Sequence, residues 1–95
     1  MARGYWIARC DILDMDSYKA YVAAAGPVFE QYGGKFLVRG GQYAAREGAS
    51  RSRQVVIEFA DHAAALACHA SPEYQAAKAH RDGAALFDLV IVEGV

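Results

Sequence analysis

The chain has 95 residues, 55% of them hydrophobic, and its formal net charge is −1. The 10 basic and 11 acidic residues are well mixed along the chain, which excludes the clustered positive charge of a nucleic-acid-binding protein. No apolar run approaches the ~20 residues of a membrane span, and MARGYWIARC lacks the apolar segment of a signal peptide, so we expect a cytoplasmic protein without nucleic-acid or membrane partners.

The first predicted element is a strand, YWIARCDI (5–12), which is rich in residues that favour β-structure. A helix follows, with Asp14 as its N-cap and with apolar side chains at helical spacing. We expect Gly26-Pro27 to kink or break this helix, because proline has no N–H to donate and clashes with the preceding turn. Gly33-Gly34 then predicts its C-terminal end.

The next two predicted strands form a hairpin. KFLVRGG (35–41) is the second strand, which we expect to bulge or bend at Gly40-Gly41 and to continue through QYAARE. GASRS (48–52) is the predicted loop of the hairpin. RQVVIEFA (53–60) is the third strand.

The remaining residues predict a second helical connection and a last strand. Asp61 caps a short helix, HAAALACHA, and Ser71 caps another that begins at Pro72 and stops at Gly83. LFDLVIVEG (86–94) is the fourth strand. The order β-α-β-β-α-β predicts an α+β, ferredoxin-like fold. We expect one such domain, residues 1–95, with the helices on one face of a four-stranded antiparallel sheet.

Strand alternation predicts what lies on the face of the sheet without helices, which we call the open face. If Val55, Ile57 and Phe59 meet the helices, the open face carries the following side chains: Tyr5, Ile7, Arg9, Leu37, Arg39, Val56, Glu58, Val90 and Val92. So large an apolar patch on a small domain predicts a partner. A second copy, packed sheet against sheet, is the simplest partner by symmetry, so we expect a homodimer.

Arg39 has two interpretations in this arrangement. In the first, its guanidinium pairs with Glu58, for which Arg9 is the alternative partner, and stabilises the dimer, because charges buried in an interface must be paired. In the second, Arg39 binds an anionic ligand. Arg9 and Arg39 together carry one positive charge more than Glu58 can neutralise, which keeps the second interpretation open.

Four segments carry a resemblance to known proteins: GYWIARCDI, YKAYVAAAGPVFEQYGGKFLVRGG, VVIEF and SPEYQAAKAHR. They resemble a family of small bacterial proteins catalogued as domain of unknown function thirteen-thirty, over nearly the whole chain. The resemblance implies the fold of the dimeric α+β barrel superfamily, with two sheets packed back to back. That superfamily includes cofactor-free monooxygenases, haem-degrading enzymes and lactone isomerases, whose pockets lie between sheet and helices, but fold alone does not determine function.

Few side chains are candidates for chemistry. The three histidines fall on predicted helices without the spacing of a metal or haem site, so we expect no metal and no cofactor. His69 is the best candidate for an acid–base role, with Glu58 as a second proton-handling group. Tyr74 and Arg81 share a helix face. Either they rim an aromatic pocket together with Tyr18, Tyr21 and Tyr32, or these tyrosines bury their rings in the core and leave their hydroxyls in water. Cys68, beside His69, is the candidate reactive thiol.

Two functions are consistent with these patterns. In the first, the homodimer binds, or also converts without a bound cofactor, a small organic acid or aromatic metabolite. The candidates are His69 and Glu58 for catalysis, and Arg39, Arg9, Tyr5, Tyr74 and Arg81 for ligand binding. In the second, the protein is a non-catalytic binding or interaction module in which Arg39 and Glu58 stabilise the dimer. The sequence does not decide whether the protein is an enzyme.

Overall fold

A computed structural model of the protein describes residues 2–95. This part of the chain forms four strands and three helices, in the order β1 Gly4–Ile12, α1 Met15–Gln31, β2 Lys35–Arg39, β3 Arg53–Phe59, α2 His62–Ala70, α3 Pro72–Ala79 and β4 Ala85–Glu93. The strands pair antiparallel in the spatial order β2-β3-β1-β4. The predicted α+β, ferredoxin-like fold is confirmed, with α2 and α3 together forming the second crossover.

The helices begin at the predicted capping residues. The carboxylate of Asp14 accepts hydrogen bonds from two N–H groups in the first turn of α1. Asp61 accepts one from the N–H of Ala64 at 2.7 Å, and the Ser71 hydroxyl accepts one from the N–H of Tyr74 at 3.1 Å. Each cap satisfies a donor that has no partner inside the helix, and such caps typically stabilise a protein by ~1 kcal/mol. No helix within residues 2–95 is both long and apolar enough to cross a bilayer.

Of the predicted kink or break at Gly26-Pro27, the break is wrong, because α1 continues through both residues. Proline removes the N–H that would have bonded the carbonyl of Ala23. Ala23 and Pro27 are both exposed, so water can supply the missing donor. The helix ends as predicted, just before Gly33, whose φ of 77° suits glycine.

Strand β2 contains a β-bulge at a position that the sequence did not predict. The pairing with β3 shifts between Phe36 and Val38, so the bulge lies before Gly40 and not at it. Leu37 is the extra residue, and it moves the alternation of the strand by one position. As a result Val38 faces the open side, and Arg39 lies opposite Val55 on the side of the helices.

The predicted pairing of Arg39 with Glu58 is therefore wrong, because the sheet separates the two side chains. Glu58 lies on the open face, in register with Tyr5. Its carboxylate accepts a hydrogen bond from the Tyr5 hydroxyl at 3.1 Å and lies 3.9 Å from Nε of Arg3. A one-residue change of register exchanges the two faces of a strand, and here the bulge makes that exchange for Arg39.

Residues 40–52 connect β2 to β3 without the predicted continuation of the strand through QYAARE. The N–H of Gly40 donates a hydrogen bond to the carbonyl of Gln54 at 2.8 Å. Beyond this bond the chain leaves the sheet, through a φ of 66° at Gly40. At the other end of the loop, Arg51 forms salt bridges with Asp11 at 3.0 Å and with Asp88 at 2.7 Å. The connection is therefore longer than the predicted five-residue hairpin loop, and its returning end is attached to β1 and β4.

The core lies between the helices and the sheet, around Trp6. Trp6 is 2% exposed, and its Nε1 donates a hydrogen bond to the carbonyl of Ala65 in α2 at 2.9 Å. Its ring packs edge-on against Phe29 and Tyr74, at centroid distances of 5.1 and 5.0 Å. Edge-to-face contacts are a favourable geometry for aromatic rings. They hold all three helices against β1 through one side chain.

The open face is apolar at its centre, as strand alternation predicted. Ile7 lies between Val56 and Val90 in the register of β1 with its two neighbours. Ile7 is 40% exposed and Val90 is 54% exposed. Val38 occupies this face in place of Arg39, so the face carries less charge than the sequence predicted.

Candidate functional site

A cleft opens between α1 and the side of the sheet that faces the helices. Its empty space is about 470 Å³ including the mouth, but the centre of a water molecule can reach only about 40 Å³ of it. No atom lies within 4 Å of where a Cβ of Gly26 would be, so this glycine leaves space beside α1. Six of its 13 lining residues are aromatic: Trp6, Tyr18, Tyr21, Phe29, Phe36 and Phe87. The cleft is thus narrow and mostly apolar. Because a cavity that holds benzene has a volume of roughly 150 Å³, the walls must move apart to admit an aromatic ring.

Two arginines, Arg39 and Arg53, also line this cleft. The guanidinium carbon of Arg39 lies 4.0 Å from the centre of the Phe36 ring, and that of Arg53 lies 5.8 Å from the centre of the Tyr18 ring. Within residues 2–95 neither arginine forms a salt bridge. In the same part of the chain, Nε of Arg53 is buried and has no hydrogen-bond partner. The cleft therefore offers two cations with donors to spare, which is an environment that favours an anion.

A second polar cluster lies deeper, beside the wall of the cleft. The hydroxyl oxygens of Tyr21 and Tyr74 are 3.0 Å apart, and Nη2 of Arg81 donates to the Tyr74 hydroxyl at 3.4 Å. The guanidinium carbon of Arg81 lies 3.8 Å from the centre of the Phe87 ring. Burial, together with the neighbouring Tyr74 hydroxyl, raises the pKa of Tyr21 far above its ordinary value. Tyr21 is therefore a permanently protonated hydroxyl at physiological pH.

The two residues predicted for catalysis lie on opposite sides of the sheet. His69 packs against Trp6 and Tyr74, at centroid distances of 5.6 and 5.3 Å, outside the set of residues that lines the cleft. Burial, with the positive charges of Lys78 and Arg81, lowers the pKa of His69. Its imidazole is therefore neutral at pH 7. Since Glu58 lies on the open face, the fold does not bring these two groups together within one subunit.

The residues predicted for ligand binding are also divided between the two faces. Arg39 lines the cleft, and Tyr74 and Arg81 lie behind its wall. Tyr5 and Arg9 lie on the open face, where Arg9 borders a second, more open pocket that it forms with the loop after β2, with about 630 Å³ of empty space including its mouth. Of the five, only Arg39 can contact a small molecule in the cleft.

Sequence reasoning missed Arg53, although the signal for it was present. Arg53 is in phase with Val55, Ile57 and Phe59 along β3, and that row was correctly assigned to the helices. An arginine at the end of an inward-facing apolar row indicates a charge at the rim of the core. The position of Arg39 carried no such signal, because the bulge before it depends on the pairing with β3.

We expect both thiols of the native protein to resist modification. Cys10 and Cys68 are 1% and 0% exposed. Burial raises the pKa of the Cys68 thiol to about 11 from its ordinary 9.0, which lowers its thiolate fraction near neutral pH roughly 100-fold. A disulfide reagent such as DTNB should react slowly with the folded protein and rapidly after denaturation in guanidinium chloride. Equal rates in the two states would contradict this account of Cys68.

The sequence matches one protein-family model over residues 3–95, and the family is described as "Domain of unknown function (DUF1330)". No curated protein matches the chain at a significant level. The match over almost the whole chain confirms the family resemblance that the sequence segments indicated.

Several solved structures share the fold. A protein of unknown function from Rhodopseudomonas palustris superposes with a TM-score of 0.78 at 22% identity, over 99% of this chain and 83% of that chain. SnoaB, a cofactor-independent oxygenase from Streptomyces nogalater, gives a TM-score of 0.62 at 13% identity, over 97% and 92% of the two chains. An EthD family protein from Bacillus halodurans gives 0.60 at 14%, over 100% of each. At these identities the similarity establishes the fold and nothing further.

Proposed function

The chain belongs to the DUF1330 family, and from this premise we propose that it binds a small aromatic carboxylic acid in the cleft between α1 and the sheet. The observation that carries the proposal is the position of Arg39. The bulge in β2 turns this side chain to the same side of the sheet as Arg53, and both line the cleft. The likeness to a cofactor-independent oxygenase supports a small-molecule role for the fold.

The chemistry of the cleft matches the two halves of such a ligand. The aromatic walls suit a planar ring, which would be buried between Phe36 and the tyrosines of α1. The guanidinium groups of Arg39 and Arg53 suit a carboxylate, because each can donate two parallel hydrogen bonds to it. Neither arginine has a salt-bridge partner within residues 2–95, so the carboxylate of the ligand would not compete with a carboxylate of the protein.

The alternative in which Arg39 and Glu58 stabilise a dimer does not fit the observed register, because the two side chains lie on opposite sides of the sheet. We infer instead that the apolar open face, without Arg39, is covered by a second copy of the chain. Its exposed centre, Ile7 and Val90, supports this inference. Ligand binding and association would then use different faces of the sheet and can be tested separately.

The direct test is a titration of the isotope-labelled protein with benzoate and with benzamide, followed by amide chemical shifts. The two molecules have nearly the same shape, but benzamide has no charge. We expect benzoate to shift the amides of residues around the cleft and benzamide to bind at least about tenfold more weakly, since hydrogen bonds to a charged group contribute roughly 1.5–3 kcal/mol. Equal affinities would contradict the role of the arginines, and no shift with either compound would contradict the proposal as a whole.

Substitution of Gly40 by alanine should weaken benzoate binding several-fold. A Cβ at this position would overlap Nη1 of Arg53, so the guanidinium must move out of its place in the cleft. Gly48→Ala is a matched control, since Gly48 has a similar φ of 71° but no atom within 4 Å of its Cβ position. Both variants should lose roughly 1–2 kcal/mol of stability from the left-handed backbone. If Gly40→Ala bound benzoate as well as Gly48→Ala, Arg53 would not be a ligand contact.

A further inference from the structure

We propose that the inner wall of the cleft recognises a second oxygen of the ligand, a carbonyl oxygen, through a hydrogen bond from the hydroxyl of Tyr21. This inference rests on the proposed function and narrows its ligand class to aromatic acids that also carry a carbonyl group. It starts from the buried cluster of Tyr21, Tyr74 and Arg81, which the binding of a carboxylate does not use. Of the three, Tyr21 lines the cleft.

The hydrogen bonds in this cluster leave one hydroxyl hydrogen without an acceptor. A guanidinium can only donate, so the Tyr74 oxygen accepts from Nη2 of Arg81 at 3.4 Å. The oxygens of Tyr21 and Tyr74 are 3.0 Å apart, and either hydroxyl can donate to the other. Their contact uses one of the two hydroxyl hydrogens, and the other is left over.

The remaining hydrogen needs an acceptor. Within residues 2–95, neither hydroxyl donates to an acceptor outside the pair. Tyr74 is 0% exposed and lies outside the lining of the cleft, whereas Tyr21 lines it, so Tyr21 is the member of the pair that can turn its hydrogen toward a ligand there. A buried donor without an acceptor is unfavourable by roughly 1–3 kcal/mol. A ligand atom in the cleft that accepts a hydrogen bond would remove this penalty.

The charge of Arg81 specifies what kind of acceptor fits. Arg81 is 7% exposed and forms no salt bridge within the described residues, and its buried Nε has no partner there. An uncompensated buried cation favours partial negative charge nearby. Since burial keeps Tyr21 protonated, its hydroxyl serves as a neutral donor. A carbonyl oxygen accepts such a bond and carries partial negative charge without adding a second full charge to the cleft.

The two polar ends of the cleft are separated across the sheet. Arg39 and Arg53 belong to β2 and β3, whereas the Tyr21 ring packs against Phe87 of β4, at a centroid distance of 6.2 Å. Strand β4 is the edge strand opposite β2, and neighbouring strands lie about 4.8 Å apart. A ligand with one aromatic ring between its carboxylate and its carbonyl group can therefore extend from the arginines toward Tyr21.

The test compares 4-acetylbenzoate with 4-isopropylbenzoate, which share the carboxylate and the ring and differ in the carbonyl oxygen. We expect the native protein to bind the acetyl compound about 3- to 10-fold more tightly, the effect of one neutral hydrogen bond. Tyr21→Phe should remove this preference and leave the affinity for the isopropyl compound unchanged. Tyr32→Phe is the matched control, because Tyr32 caps the C-terminal end of α1 and lies outside the set of residues that lines the cleft; it should keep the preference.

Each outcome decides between the two proposals. Equal affinities for the two acids in the native protein would overturn the role of Tyr21 and leave the carboxylate site standing. No binding of either acid would overturn both. Should Tyr21→Phe fail to fold, the native protein with ¹³Cζ-labelled tyrosine serves in its place: 4-acetylbenzoate should shift the Tyr21 resonance, and 4-isopropylbenzoate should shift it much less. Equal shifts with the two acids would contradict the proposal.

Discussion

Substitution of Arg39 by glutamine should weaken the binding of benzoate roughly 10- to 100-fold, because it removes one of two charged donors that face the ligand's carboxylate. Stability should change little. Arg39 is exposed, and it has a stacking contact with Phe36 and no salt bridge within residues 2–95. Such exposed cation–π contacts contribute about 0.5–1 kcal/mol. Isothermal titration and a thermal melt of the same sample measure the two effects together.

Arg46→Gln is the matched control for this experiment. Arg46 is an exposed arginine of the loop after β2 and lies outside the set of residues that lines the cleft, so its loss changes the net charge equally without touching the site. We expect its benzoate affinity to equal that of the native protein. If both variants lost affinity alike, the effect would be one of overall charge, and Arg39 would have no specific role. If Arg39→Gln destabilised an assembly instead, the earlier structural interpretation of this residue would return.

Substitution of Ile7 by lysine should convert a dimer into monomers. Ile7 lies on β1, a central strand of the sheet, between Val56 and Val90 on the open face. A lysine at this place would be buried without a partner if a second copy covers the face, and a buried unpaired charge is unfavourable by roughly 3–5 kcal/mol. The dissociation constant should rise at least about 100-fold. Sedimentation velocity over a range of concentrations measures it.

Leu66→Lys provides the comparison for Ile7→Lys. Leu66 is 46% exposed, similar to Ile7, but lies on α2, on the helical side of the sheet. This variant should keep the assembly of the native protein, and both variants should bind benzoate as before, because neither residue lines the cleft. A native protein that is monomeric at all concentrations would contradict the inferred homodimer. So would an Ile7→Lys protein that still dimerises.

Much of the fold could be predicted because its signals are local. Asp14, Asp61 and Ser71 mark helix starts through hydrogen bonds to the next few residues. The alternation of β1 and β3 is uninterrupted, so the apolar open face and the inward row of Ile57 and Phe59 followed directly from it. The break predicted at Pro27 does not occur. Helix propensity treats the missing N–H of proline as a loss, but on an exposed face of the helix water can donate to the free carbonyl instead.

The sequence by itself determined the order of the elements, their caps and the apolar character of the open face, since each depends on neighbours in the chain. The tertiary structure alone decided where Arg39 points. The extra residue in β2 exists only through its pairing with β3, and a period of two residues turns one insertion into a change of face. The same holds for Tyr21, Tyr74 and Arg81, which come from distant parts of the chain. Their contact depends on how α1, α3 and β4 pack against one another, which no local pattern records.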